Sequence, residues 1–143
     1  MFNPTRDQSR DFLFDVWAKH LAGAQLSALE SLALSIVLEH PEYHALLGDR
    51  ERYRDREWRP EGGETNPFLH LAMHLAIEEQ LSIDQPGGIA NSFAALAAKH
   101  GDRHEAMHDA MECLGEMVWR SQRDRAPPDA AAYLECLKQR AGR

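Results

Sequence analysis

The sequence lacks several things, and each absence narrows the reading. No apolar run is long enough to cross a bilayer. The N-terminal stretch MFNPTRDQSRDFLF carries no signal-peptide core, so a cytoplasmic protein is the expectation. There is no excess of positive charge. The formal net charge of −7 argues against nucleic acid and against anionic membranes as partners. Cysteine is scarce. Cys113 and Cys136 show no CxxC spacing, so reduced thiols are expected, and the absence of a thiolate-rich set argues against a structural zinc finger. No stretch alternates with period two, which leaves strands without a signal. Nor is there a sequence repeat, apart from one doubled histidine pattern.

What is present is helical periodicity over 143 residues, the length of one domain with a real core. Residues 5–22 place Phe12, Leu13, Val16, Trp17 and Leu21 on one side of a helix. Ser27 and Glu30 form a capping box for a second helix that runs towards His40, where Pro41 interrupts it. A short helix over 42–47 carries His44. Residues 49–64 are charged with mixed signs and read as a solvated loop, a frayed helix or a flexible lid. Asn66 and Pro67 start a helix that is apolar on every side. Residues 89–100 form an Ala-rich helix stopped by Gly101. Asp102 and Glu105 start the next, which runs to about residue 122. Pro127, Pro128 and Asp129 open the last one. The expected fold is all-α, a bundle of five or six helices.

The doubled pattern is the chemical signal. In the apolar helix, His70, His74 and Glu78 are spaced i, i+4, i+8. At about 100° per residue each step drifts by only about 40°, so the three form one stripe. Buried polar groups need partners. The second copy is His104, His108 and Glu112, beside the apolar face made by Met107, Met111, Leu114 and Val118. Glu105, Asp109 and Glu116 fall in a separate, solvated sector. With 8 histidines in the chain, one HxxxHxxxE is expected by chance about 0.04 times. Two are expected in fewer than roughly one chain in a thousand.

Facing helices can supply inward ligands to a bundle core. Imidazole with carboxylate suits iron, zinc, manganese, copper or nickel. Four histidines and two glutamates exceed what one tetrahedral ion needs. A dinuclear iron centre with a bridging glutamate is therefore the expectation, and zinc and manganese are the alternatives. His44 and His40 could complete it. Its chemistry would be redox or oxygen chemistry, sensing or metal storage. Taken singly, His40, His44 and His100 read as hydrogen-bonded core groups. Glu78 and Glu112 read equally well as salt-bridged edges. The methionines read as packing.

Two other functions compete. His104–His108 spells HEAMH, the HExxH pattern in which two histidines bind zinc and the glutamate activates water. Glu105 would then be the base, with Glu112, His70 or His74 as a further ligand. No strand is available to hold a substrate, and the second histidine pair is left unused. The remaining alternative is a metal-free helical interaction module.

The run TNPFLHLAMHLAIEEQLSIDQP, with LEHPEYHALL before it and DRHEAMHDAMECLGE after it, resembles an uncharacterised bacterial family, a domain of unknown function. The resemblance covers nearly the whole chain. It implies a bacterial, cytoplasmic protein and supplies no activity. The likeness to hemerythrin-type bundles is one of ligand type alone, because the spacings differ.

Overall fold

A computed structural model describes residues 5–59 and 65–142. All regular secondary structure among them is helical, in agreement with the all-α expectation. The chain forms two compact units, residues 1–75 and 76–143.

The first unit starts with α1, Arg6–Leu21. Thr5 and Gln8 close a capping box at its start, with hydrogen bonds of 3.1 and 3.0 Å. The expected box follows at α2, Ala28–Leu38. There the Ser27 hydroxyl accepts from the Glu30 N–H at 3.1 Å, and the Glu30 carboxylate accepts from the Ser27 N–H at 2.9 Å. The Lys19 ammonium bonds Glu30 at 2.6 Å. That bond, with the Ser27 N–H, holds the Glu30 carboxyl below its ordinary range.

Pro41 ends α2 as expected. His40 leaves the helical region, with φ −125° and ψ 64°. The predicted short helix divides into a 3-10 turn, Pro41–Tyr43, and α3, His44–Leu47. The apolar side chains of α1, α2 and α3 meet those of the first half of α5, Pro67–Ile83, in one core. From α1 alone Leu13, Phe14, Val16 and Trp17 are buried. Each contributes about 1.5–3 kcal/mol of gross burial energy, before chain entropy is set against it.

Over its described part the charged segment is a short helix followed by a largely exposed loop, in keeping with the solvated-loop or frayed-helix expectation. It forms α4, Arg50–Tyr53, and is docked on α1. Arg54 grips Asp11 with two bonds of 2.8 and 3.1 Å. This holds the Asp11 carboxyl below its ordinary range. Arg10 is buried beneath the segment. Its guanidinium donates to the carbonyls of Arg54 and Arg56 at 2.8 and 2.7 Å and lies over the rings of Trp58 and Phe68. A buried cation with backbone acceptors and aromatic faces pins the segment, so the lid expectation fails there. Residues 60–64 of that expectation lie outside the described residues.

In the second unit α6, Ile89–His100, α7, Arg103–Asp124, and α8, Ala130–Ala141, pack against one another. Gly101 ends α6 at φ +68°, a conformation that costs a residue with a Cβ dearly. Asp102 caps α7, accepting from the His104 N–H at 2.9 Å. Asp129 caps α8, accepting from the Ala132 N–H at 3.0 Å. Tyr133 is buried, and its hydroxyl donates to Gln80 at 2.8 Å. Burial raises that phenol well above its ordinary range.

Two expectations are corrected here. The cysteines are not separate thiols: Cys113 and Cys136 form a disulfide that ties α7 to α8, with the two Cα atoms 5.9 Å apart. Their 23-residue separation gave no hint, since the pairing depends on α7 and α8 folding back side by side. Asp109 is not solvated. It accepts from Arg140 and from the ring of His100, the latter at 3.0 Å. Burial works against its charge, but Arg140 and His100 together outweigh it and hold the carboxyl low. The helical wheel of α7 could not include α8, which covers that sector.

Candidate metal centre

The site in the first unit grows from two helix boundaries. The Asn66 side chain accepts from the N–H groups of Phe68 and Leu69 at 3.0 and 3.2 Å, and Pro67 occupies the first helical position. This fixes the start of α5, and therefore the direction in which the stripe of His70 and His74 points. Their rings lie 4.8 Å apart at 64°. His40 enters from the end of α2. Its ring is 5.0 Å from that of His70 and 4.7 Å from that of His74, edge-on to both. His40 and His74 are each 2% exposed, and His70 is half-buried. One ring nitrogen from each of the three lies within 4.8 Å of the others.

The nitrogens can be assigned. His40 Nδ1 is 2.8 Å from the Ile36 carbonyl, which can only accept, so Nδ1 carries a proton. In a neutral ring Nε2 then presents a lone pair. That Nε2 is 3.2 Å from His70 Nε2. His74 Nε2 is also 3.2 Å from His70 Nε2. One proton on His70 can serve one of these neighbours well, or both poorly. A proton on His74 instead would leave the lone pairs of His40 and His70 opposed. A metal ion accepts all three lone pairs at once.

The distances suit such an ion. With metal–nitrogen bonds of about 2.05 Å, tetrahedral ligand nitrogens stand about 3.3 Å apart and cis-octahedral ones about 2.9 Å apart. The observed 3.2 Å falls between these values. The bond from His40 Nδ1 to a backbone carbonyl is the usual outer support of a metal-binding imidazole, since it fixes the tautomer and the ring orientation. Tyr43 adds a lid of its own: its ring stacks on His40 at 5.6 Å and 4°, and meets His70 edge-on at 6.0 Å. The sequence reading missed Tyr43. It lies three residues after His40 across a proline turn, where no helical period exists to reveal it.

The other expected ligands are placed as follows. His44 Nε2–H donates to the Val37 carbonyl at 2.8 Å, and its ring lies 4.3 Å from that of Trp17. It thus gives the Val37 carbonyl, in the last turn of α2, a second donor beside the His40 N–H at 2.9 Å. His104 and His108 lie together on α7 in the second unit, rings 4.3 Å apart and both half-buried. Glu78 accepts from Arg103 at 2.5 Å. Glu112 accepts from Arg140, and its side chain is 68% exposed. Both glutamates therefore have arginine partners, the salt-bridged alternative. Glu105, the base of the peptidase alternative, is 67% exposed and stands 3.9 Å from His100. His20 is exposed, as expected.

The described residues contain no helix long and apolar enough to cross a membrane. A family model described as Domain of unknown function (DUF1841) matches residues 5–139, and the chain belongs to that family. No curated protein and no solved structure matches it.

Proposed function

We propose that this DUF1841 protein binds a divalent transition metal through His40, His70 and His74. One observation carries the reading. Two nitrogen pairs at 3.2 Å share His70 Nε2, while His40 is fixed with its lone pair inward. Three imidazole nitrogens converging at such distances suit a metal ion.

Three neutral imidazoles favour a borderline metal such as zinc or iron over magnesium or calcium, which take oxygen ligands. The dinuclear iron expectation needs a bridging carboxylate. Glu78 and Glu112 have arginine partners, so a single ion is the better supported form. A tetrahedral ion held by three histidines keeps one position open, the pattern of catalytic rather than structural sites. Redox or oxygen chemistry therefore stays ahead of sensing and storage. The second stripe is proposed on its spacing alone: His104 and His108, one turn apart on α7, are a further pair of metal ligands. The HEAMH reading has less support, because an exposed Glu105 is poorly set to activate a metal-bound water.

The test is metal analysis of a tag-free preparation. About one equivalent per chain is expected, lost on His40→Ala and lowered by His108→Ala. A folded wild-type protein that takes up no zinc, iron, manganese, copper or nickel would refute the proposal.

A further inference from the structure

We propose a second and separate chemistry in the second unit: the Cys113–Cys136 disulfide is a thiol-exchange site open to a low-molecular-weight thiol. A cleft of about 400 Å³ reaches the bridge between α7 and α8, with Met117, Tyr133, Glu116 and Arg120 among its walls. That volume lies within the range of small-molecule sites. Both cysteines line the cleft, but unequally. Cys113 is 1% exposed, and Cys136 is half-buried. Exchange needs an attacking thiolate to reach one sulfur. Access therefore selects Cys136 as the sulfur attacked and Cys113 as the leaving group.

The chemistry balances with two equivalents of external thiol. The first, as thiolate, forms a bond to Cys136 Sγ. The Cys113–Cys136 bond breaks, and its electron pair goes to Cys113 sulfur, which takes up a proton. The second thiolate attacks the external sulfur of the mixed disulfide and releases Cys136. The cysteine pair is reduced, and the two external thiols leave as one oxidised disulfide. Cys113 sits next to the mixed disulfide. As its thiolate it can attack Cys136 Sγ, breaking the bond to the external sulfur, which leaves as the external thiolate and takes up a proton, so that the bridge closes again. Cys136 is thus the exchanging residue and Cys113 the resolving one. This gives the protein a reversible thiol state at a bridge that the spacing alone did not predict.

Reduced glutathione is the probe. Wild-type protein is held in graded glutathione redox buffers without denaturant, alkylated, and read by intact mass and peptide mapping, with circular dichroism as the folding check. The expected result is opening of the bridge in the folded state, with any mixed disulfide mapped to Cys136. Cys113→Ser should retain one glutathione per chain at Cys136. In Cys136→Ser, Cys113 should be alkylated at least tenfold more slowly than Cys136 is in Cys113→Ser. The proposal is overturned if the bridge opens only on unfolding, if the mixed disulfide maps to Cys113, if the two sulfurs react at equal rates, or if air-oxidised protein contains no bridge. The wild-type measurements decide the matter even where a serine variant fails to fold.

Discussion

Replacing His74 by alanine should separate a metal's contribution from ordinary packing. His74 is 2% exposed and its Nε2 faces that of His70 at 3.2 Å. In metal-free protein the substitution removes a buried ring and its bond to His70, a loss of about 1–3 kcal/mol. In metal-loaded protein a second loss is added. A ligand that binds only the native state stabilises it by about 2.7 kcal/mol when its free concentration is 100 times Kd. For a chain of this size that is roughly 5–10 °C in Tm. The assay is scanning calorimetry on four samples: wild type and His74→Ala, each metal-loaded and chelated, with metal content measured on every one. Wild type should lose roughly 5–10 °C on chelation, while the variant starts lower and loses less than a third as much. A variant that keeps the full metal content and the full chelation shift would refute the assignment of His74 as a ligand. Wild-type protein that loses its metal without a change in Tm would refute the stabilising effect of the metal.

Glu105→Gln should leave metal content and Tm unchanged, because the side chain is 67% exposed; loss of a measured hydrolytic activity with the metal retained would favour the peptidase reading instead. Arg10→Met should cost roughly 2–4 kcal/mol, because the carbonyls of Arg54 and Arg56 lose a charged donor. It should also speed proteolysis near Trp58, seen as new fragments by mass spectrometry. The backbone N–H groups of Ala90 and Gly88 hold the Asp84 carboxyl below its ordinary range. A depressed folded pKa gives stability that is complete above the unfolded value of about 3.9 and is lost as pH falls through the folded one. Asp84→Asn should therefore flatten the fall in Tm between about pH 4 and pH 2. The left-handed conformation at φ 50° tolerates Asn, so the variant is expected to fold.

The sequence by itself determined whatever a few neighbouring residues decide. The caps at Ser27, Asn66, Asp102 and Asp129, the break at Pro41 and the stop at Gly101 are local events, and each is found where the sequence placed it. The His70–His74 stripe belongs to the same class, because one helical turn brings residues i and i+4 together whatever surrounds them. Tertiary structure decided the partners. His40 faces His70 across 30 residues of chain, Glu112 meets Arg140 across 28, and Cys113 reaches Cys136 across 23. A helical wheel gives the direction in which a side chain points from its own axis. Which element waits there depends on how the chain folds back, so Asp109 looked solvated until α8 covered it. His40, outside any helical period, became a partner of α5 only when the Pro41 turn brought the end of α2 beside it.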